Sequence, residues 1–539
     1  MEERPLLEFY CHHNWILAFP SFFESPASRG LGQLVEYLPM DLLTNVLHGF
    51  SVALDPTNLL YCFLGVLSGT LIGVLPGLGP LAAIAFLLPI TFYVPVVPSL
   101  IMLAGIYYGA MYGGSTTSIL VNIPGEAASV VTCLDGYQMA LQGRAGPALG
   151  ISAIGSFVAG TFGVVILMLL APPLAGFALK FGPAEFSSLL VLALIIVAYI
   201  GSGEPVKAMM MGALGLALGM IGTDQISGHP RFTFGIWELV DGVGVVTVAI
   251  GVFGISEVFL NVEVIEQRHL IKTTFKGVFP SIQDYKDSAL PILRGSLLGF
   301  FVGMLPGGSH IISSFLSYGV EKKVSKHPEK FGHGAIEGVA GPESANNAAT
   351  SAAFIPLLSL GVPNNAVMAL MLGAIIIHGV VPGPRLISDQ PQLFWGVIGS
   401  MYIGNAMLLA LNLPLVGLWV QVLRVPYRLL LPMILIFCLV GVYSINASLF
   451  EMFLVIIFGV FGYVMRKLNY EMAPLIMGVI IGPMLETVFR QALLLSKGSF
   501  SIFITRPISA FFLAIAVVLL AQTAVSFVVK RIAITKRQK

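Results

Sequence analysis

The chain has 539 residues, 56% hydrophobic and only 10% charged, at a mean hydropathy of +0.90, whereas soluble domains carry about 25% charged residues. This excludes a string of soluble domains and predicts an all-α polytopic membrane protein. Lys plus Arg (28) nearly balances Asp plus Glu (27), so a net charge of +1 supplies no field to gather nucleic acid.

Residues 1–39 hold Cys11, His12, His13 and Trp15 in no periodic pattern, and their acidic start does not read as a cleaved signal peptide. They are expected to form a tail or to lie upstream of the natural start. Met40-Asp-Leu-Leu-Thr44 opens the hydrophobic body. The four cysteines, Cys11, Cys62, Cys133 and Cys438, have no CxxC spacing, so neither a disulfide framework nor a zinc site is expected.

Charge gaps mark the membrane segments, because an ionised side chain at mid-bilayer costs several kcal/mol and about 20 apolar residues span the hydrocarbon. Between Asp55 and Glu126 there are 70 residues without Asp, Glu, Lys or Arg, too many for one helix. Gaps of 35 (Arg144 to Lys180), 41 (Glu343 to Arg385), 34 (Asp389 to Arg424) and 22 (Arg428 to Glu451) follow. With the shorter apolar runs, roughly eleven to fourteen helical segments are predicted. Basic loops favour the cytoplasm. Arg268, Lys272, Lys276 and Lys286 form one, Lys322, Lys323, Lys326 and Lys330 a second, and Lys530, Arg531, Lys536, Arg537 and Lys539 close the chain.

The two internal basic loops conflict with a single span between them, since only 26 uncharged residues separate Arg294 from Glu321. Gly303-Met-Leu-Pro-Gly-Gly308 stands in the middle, and proline with paired glycines breaks a helix. Residues 295–320 are therefore read as a re-entrant hairpin of two half-helices of about ten residues each, against the alternative of one helix kinked at Pro306. The break recurs as Gly73-Val-Leu-Pro-Gly-Leu-Gly79, and Gly69-Thr-Leu-Ile-Gly73 echoes Gly295-Ser-Leu-Leu-Gly299. Pro76 and Pro306 lie 230 residues apart, Pro124 and Pro363 lie 239 apart. This reads as an internal duplication. The first hairpin lacks basic flanks, so it should open outward and the second inward, an inverted-topology repeat in which broken helices meet near the midplane. The expected division is a first membrane repeat at 40–262, a basic cytoplasmic loop at 263–290, a second repeat at 291–530 and a basic cytoplasmic tail at 531–539.

The polar residues of the uncharged stretches gather at the breaks. One group is Ser115, Thr116, Thr117, Ser118, Asn122, Pro124 and Gly125; the other is Ser344, Asn346, Asn347, Thr350, Ser351, Pro363, Asn364 and Asn365. Exposed carbonyls at breaks can coordinate sodium, and helix N-termini can bind a carboxylate. These fifteen residues are the candidate substrate- and ion-binding set. The hairpin tips Pro76, Gly77, Gly79, Pro306, Gly307 and Gly308 are expected to let backbone approach closely. Any single Ser or Thr here more often bonds to its own helix. Glu126 and Glu343 border long uncharged stretches and are expected at the interface, with burial as proton sensors the alternative. His378 reads as a packed or pore-lining imidazole. Neither stretch offers an Arg or Lys to clamp an anion. No phosphate loop or His-Glu-x-x-His pair is present, so an enzyme is not expected. A channel is the serious competitor to a transporter, because Gly-rich re-entrant loops also build filters.

Several longer segments resemble the TctA family, the large membrane subunit of tripartite tricarboxylate transporters. They are Gly73-Val-Leu-Pro-Gly-Leu-Gly-Pro80, Tyr112 to Ser129, Leu134-Asp-Gly-Tyr-Gln-Met139, Gln142-Gly-Arg-Ala-Gly146, Gly338-Val-Ala-Gly-Pro-Glu-Ser-Ala-Asn-Asn-Ala348 and Leu360-Gly-Val-Pro363. The similarity runs from about residue 40 to the C-terminus. The resemblance implies secondary active uptake of carboxylates such as citrate across the bacterial inner membrane. It also implies a small four-helix membrane subunit (TctB-like), a periplasmic solute-binding protein (TctC-like), no cofactor, and an ion gradient, usually sodium, as the driving force. Elevator-like motion of the repeat domain would suit the two hairpins.

Overall fold

The computed structural model describes residues 39–75, 78–200, 204–224, 226–263, 277–305, 307, 310–422 and 427–537. The hairpin tips Pro76, Gly77, Pro306 and Gly308, most of the N-terminal tail and most of the basic loop lie outside that set. Among the described residues the chain is helical, with one two-residue antiparallel ladder pairing Gly222 with Arg231 and Thr223 with Pro230. Among the described residues seven helices are long and apolar enough to cross a membrane, and seven shorter apolar helices accompany them, the upper end of the predicted range. The Val96–Val121 helix is 89% buried in its most apolar window, the Leu449–Lys467 helix 17%. The first is therefore central and the second turns most of its surface to lipid.

The duplication is physical. Asp55 caps Pro56–Val74, its carboxylate accepting from the Thr57 N–H at 2.9 Å, and Pro56 takes the first helical position where its missing N–H costs nothing. After the break, Pro80–Thr91 returns; twelve residues at 1.5 Å each make about 18 Å, short of the ~30 Å hydrocarbon. Val96–Val121 then runs beside Pro56–Val74. In the second half Ile282–Met304, started by a Ser281–Asp284 capping box, pairs in the same way with Glu337–Ala352, with His310–Val324 returning between them. The leading helix is longer than the predicted half-helix because the cap lies well before the uncharged stretch. Ile282–Met304 ends at extended Leu305 and His310–Val324 runs back beside it, with Arg294 paired to Glu321, so the kinked single helix is excluded.

Both pairs are seamed by glycines one turn apart. Gly65, Gly69 and Gly73 lie on the backbone of Met102, Ile106 and Ala110; Gly295, Gly299 and Gly303 lie on that of Gly341, Ala345 and Ala349. A Cβ at any of the six would come within 2.1–2.5 Å of an opposing backbone atom, well inside van der Waals contact, the close approach that small residues give membrane helices. The seam also corrects a register. Structural equivalence joins Gly69 to Gly299 and Gly73 to Gly303, so the sequence echo between Gly69 and Gly295 is one turn out of step.

The hairpins open to opposite faces. Arg144 forms an ion pair with Asp284 where the second hairpin begins, and Gln142 donates to the His333 carbonyl at 2.7 Å. At the far side Ser99 meets His378 at 3.0 Å and the Gly49 and Trp395 backbones touch, near the start of the first hairpin. His378 stacks on Phe92, a packed imidazole.

Candidate functional site

The central helices end alike. Asn122 caps Val96–Val121 in the left-handed region at φ 59°, and Gly361 ends Phe354–Leu360 at φ 69°, 239 residues on. Proline two residues later, Pro124 or Pro363, prevents the helix from resuming. Asn365 then starts Ala366–Ile377, its side-chain oxygen accepting from the Met368 N–H at 2.9 Å. The Gly307 N–H donates to the Asn364 carbonyl at 2.7 Å, and the Asn364 side-chain amide donates to the Gly303 carbonyl. The second hairpin is thereby tied to the second break.

A cavity of about 610 Å³ lies where the two hairpins and the two breaks meet, within the range of small-molecule sites. Gly79 and Pro80, Pro124 to Glu126, Gly307 and His310, and Asn364 and Asn365 form one wall; Phe253, Glu257, Arg466, Tyr470 and Glu471 form the other. Pro80–Thr91, His310–Val324 and Ala366–Ile377 all begin at this cavity. Each N-terminus carries N–H groups that its own helix does not satisfy and about half a positive charge, so three converging ends suit an anion.

The candidate set divides. Gly79, Pro124, Gly125, Gly307, Asn364 and Asn365 line the cavity. Asn346 sits one contact away, donating to Glu126 at 3.2 Å. The hydroxyls knit helices instead. Thr117 donates to the Val74 carbonyl at 2.6 Å, Ser118 to Ser129 at 2.8 Å, Thr350 to the Asn346 carbonyl at 2.9 Å and Ser351 to the Gly160 carbonyl at 3.2 Å. Asn347 donates to Ser156 at 2.7 Å and to the Glu343 carbonyl at 3.0 Å. Thr116 and Ser344 are buried in the same helices, away from the cavity lining. Asn122 and Pro363 act as the breaks themselves.

Both glutamates differ from expectation: Glu126 and Glu343 are 4% and 1% exposed. Glu343 accepts from Ser115 at 2.5 Å and from Thr132, which binds the second repeat to the first. Glu126 accepts from the Ala128 N–H at 2.6 Å in a capping box with Ser129, and its carboxylate lies 4.0 Å from His310. Charge spacing placed them at the ends of apolar stretches; the break after Asn122 carries Glu126 inward, and Glu343 lies within the buried Glu337–Ala352 helix.

Arg466 is the residue that sequence reasoning missed. It reaches the cavity from the last turn of Leu449–Lys467 and forms an ion pair with Glu257. In the sequence it reads as an interfacial cation ending an apolar run, with no local break to mark it. Asp135 is a second omission. A π-turn at Cys133–Tyr137 buries its carboxylate, which accepts from the Gly332, Gly334 and Ala335 N–H groups at 2.9, 2.8 and 2.8 Å and from the Tyr318 hydroxyl at 2.9 Å. The Leu134-to-Met139 segment is thus a clasp between the halves, remote from the cavity.

Inverted hairpins, discontinuous helices and a cavity at which three helices begin define the architecture of a membrane transporter. Comparison with known proteins narrows the class. The Tripartite tricarboxylate transporter TctA family matches residues 59–477, and the chain belongs to that family. Tricarboxylate transport is the family's activity, within a three-component system. An uncharacterized 52.8 kDa protein in the TAR-I ttuC' 3' region of Agrobacterium vitis is 52% identical over 476 residues, 88% of this chain and 95% of the relative. An uncharacterized protein in the TAR-II ttuC' 3' region of the same organism is 54% identical over 220 residues, 41% of this chain and 91% of the relative. No solved structure matches the chain.

Proposed function

We propose that this chain forms the translocation pathway for ion-coupled, secondary active uptake of tricarboxylates or related carboxylates, such as citrate, across the bacterial inner membrane. Sodium is the coupling ion, the C-terminus is cytoplasmic, a periplasmic binding protein delivers the solute, and a small four-helix subunit completes the membrane complex. The observation that carries this reading is the cavity where both hairpins and both breaks meet and three helices begin. Substrate carboxylates accept from N–H groups at Gly79 and Leu81, His310 and Asn365–Ala366, while Arg466 supplies the one side-chain guanidinium in the lining. No ATP-binding loop is present in the sequence, which supports a gradient as the energy source. Alternating exposure of the cavity, by movement of the hairpin-bearing repeats against the Leu449–Lys467 side, carries substrate inward.

The test is uptake of a panel of radiolabelled di- and tricarboxylates into proteoliposomes. The vesicles hold this chain, its small partner and a binding protein, with an inward sodium gradient present or collapsed. Accumulation above the external concentration that disappears with the gradient is the expected result. Rapid equilibration that ignores both gradient and binding protein would replace the transporter with a channel.

A further inference from the structure

The charge inside the cavity is wrong for its proposed cargo. Three carboxylates, Glu126, Glu257 and Glu471, line it against one guanidinium, Arg466. Glu257 is paired with Arg466, and Glu471 has a partner of its own. Glu126 differs: its contacts are the Ala128 N–H, the Asn346 amide and the His310 ring at 4.0 Å, and no Lys or Arg pairs with it among the described residues. A substrate carrying two or three negative charges would meet this buried carboxylate at short range, where like charges repel strongly. Three helix ends offset part of that repulsion, but no cation among the described residues neutralises Glu126 itself.

A second observation points to what does. The side-chain oxygens of Asn346 and Asn364 are buried without a hydrogen-bond partner, although Asn346 is 1% and Asn364 0% exposed. Their orientation is fixed, since each amide nitrogen must face an acceptor, the Glu126 carboxylate and the Gly303 carbonyl respectively. The oxygens are therefore left over by necessity. Buried oxygens are normally satisfied by protein, water or an ion. A hard cation that prefers oxygen ligands can answer both the Glu126 charge and the Asn346 oxygen beside it.

We propose that the cotransported cation is sodium held at Glu126, with the side-chain oxygen of Asn346 as a further ligand. The inference rests on the ion-coupled transport reading above and adds a reason for the coupling. Bound sodium cancels the Glu126 charge, and only then do the three helix ends and Arg466 prevail over the remaining carboxylates, so anion and cation load together. By linkage each must raise the other's affinity by the same factor.

The experiment is ²²Na⁺ binding to the purified complex of this chain with its small subunit, by scintillation proximity, alongside citrate binding with and without sodium. Wild type should bind ²²Na⁺, and citrate should raise that affinity at least tenfold. Glu126→Gln, which retains size and removes the charge, should lose ²²Na⁺ binding and flatten the sodium dependence of citrate affinity. Asn346→Ala, a milder change that leaves the carboxylate, should weaken sodium binding about tenfold. Monodisperse elution of each variant with its partner reports folding. Sodium binding within twofold of wild type in either folded variant overturns the assignment. Wild type that binds no ²²Na⁺ yet accumulates substrate under a proton gradient overturns sodium at this site and leaves the transport reading standing. Wild type that only equilibrates substrate under every gradient overturns that reading instead.

Discussion

Replacement of Asp135 by alanine should release the clasp that joins the repeats on the Arg144–Asp284 face. The carboxylate accepts three backbone N–H groups from residues 332–335 and the Tyr318 hydroxyl. Of these donors the Ala335 N–H is fully buried, while Gly332 and Gly334 are half-buried and can be rescued by water. An orphaned buried donor costs about 1–3 kcal/mol and a hydrogen bond to a charged group about 1.5–3 kcal/mol, so after rehydration of the glycines the loss is about 3 kcal/mol. Each 1.4 kcal/mol is a factor of ten; local opening of this loop should therefore become roughly a hundredfold more frequent. Hydrogen–deuterium exchange of peptides covering 331–336 reads this directly. Asp135→Asn keeps an acceptor for the N–H groups and should cost about 1 kcal/mol, near the net value of a neutral hydrogen bond. Unchanged exchange in the alanine variant, or an asparagine variant as damaging as alanine, would refute the clasp.

Three further outcomes follow from the same geometry. Gly299→Val should destabilise the second seam by about 1–3 kcal/mol or more through overpacking, seen as a lowered apparent melting temperature in detergent, whereas the same change at Gly319, whose Cβ position is open, should be tolerated. Arg466→Gln should weaken citrate binding at least tenfold without displacing the helix, because the guanidinium leaves Glu257 unpaired beside the anion; unchanged affinity would remove Arg466 from the site. In the 220–243 loop, Arg490 and then the Ser227 and Ile226 N–H groups hold the Asp224 carboxyl well below its usual range. A folded pKa depressed in this way stabilises above the unfolded value, near 4, and the contribution is lost as pH falls through the folded one. Protease resistance of this loop should therefore persist from pH 7 down to about pH 4 and fall only in stronger acid, while Asp224→Asn should be cleaved faster already at pH 7.

Much of the architecture was legible because its signals are local. Leu-Pro-Gly and the prolines at 124 and 363 break helices wherever they stand, and the charge flanks assign the two hairpins to opposite faces. Pro124, Gly125, Asn364 and Asn365 accordingly line the cavity. The partners of the hydroxyls at 115–118 and 350–351 were not legible, because a run of Ser and Thr looks alike whether it faces a cavity or a neighbouring backbone. Asn346 and Asn347 illustrate the difference. Adjacent positions on a helix point about 100° apart, so one reaches Glu126 and the other Ser156. Arg466 and Glu257 were invisible for a different reason: their pairing depends on which distant helix packs opposite the hairpins, and no short-range pattern encodes it.

The glycine seams bear on how the protein meets its membrane. Depth of a re-entrant tip would ordinarily be negotiable, since side chains at a helix contact can change rotamer and let one helix slide along another as the bilayer thins or thickens. Here main chain rests on main chain at six places, and such a joint has no adjustable part. Each tip is gauged against the central helix beside it and not against the lipid. Variation in bilayer thickness must then be taken up by the outer helices such as Leu449–Lys467, leaving the depth of each hairpin beside its central helix the same in thin and thick membranes.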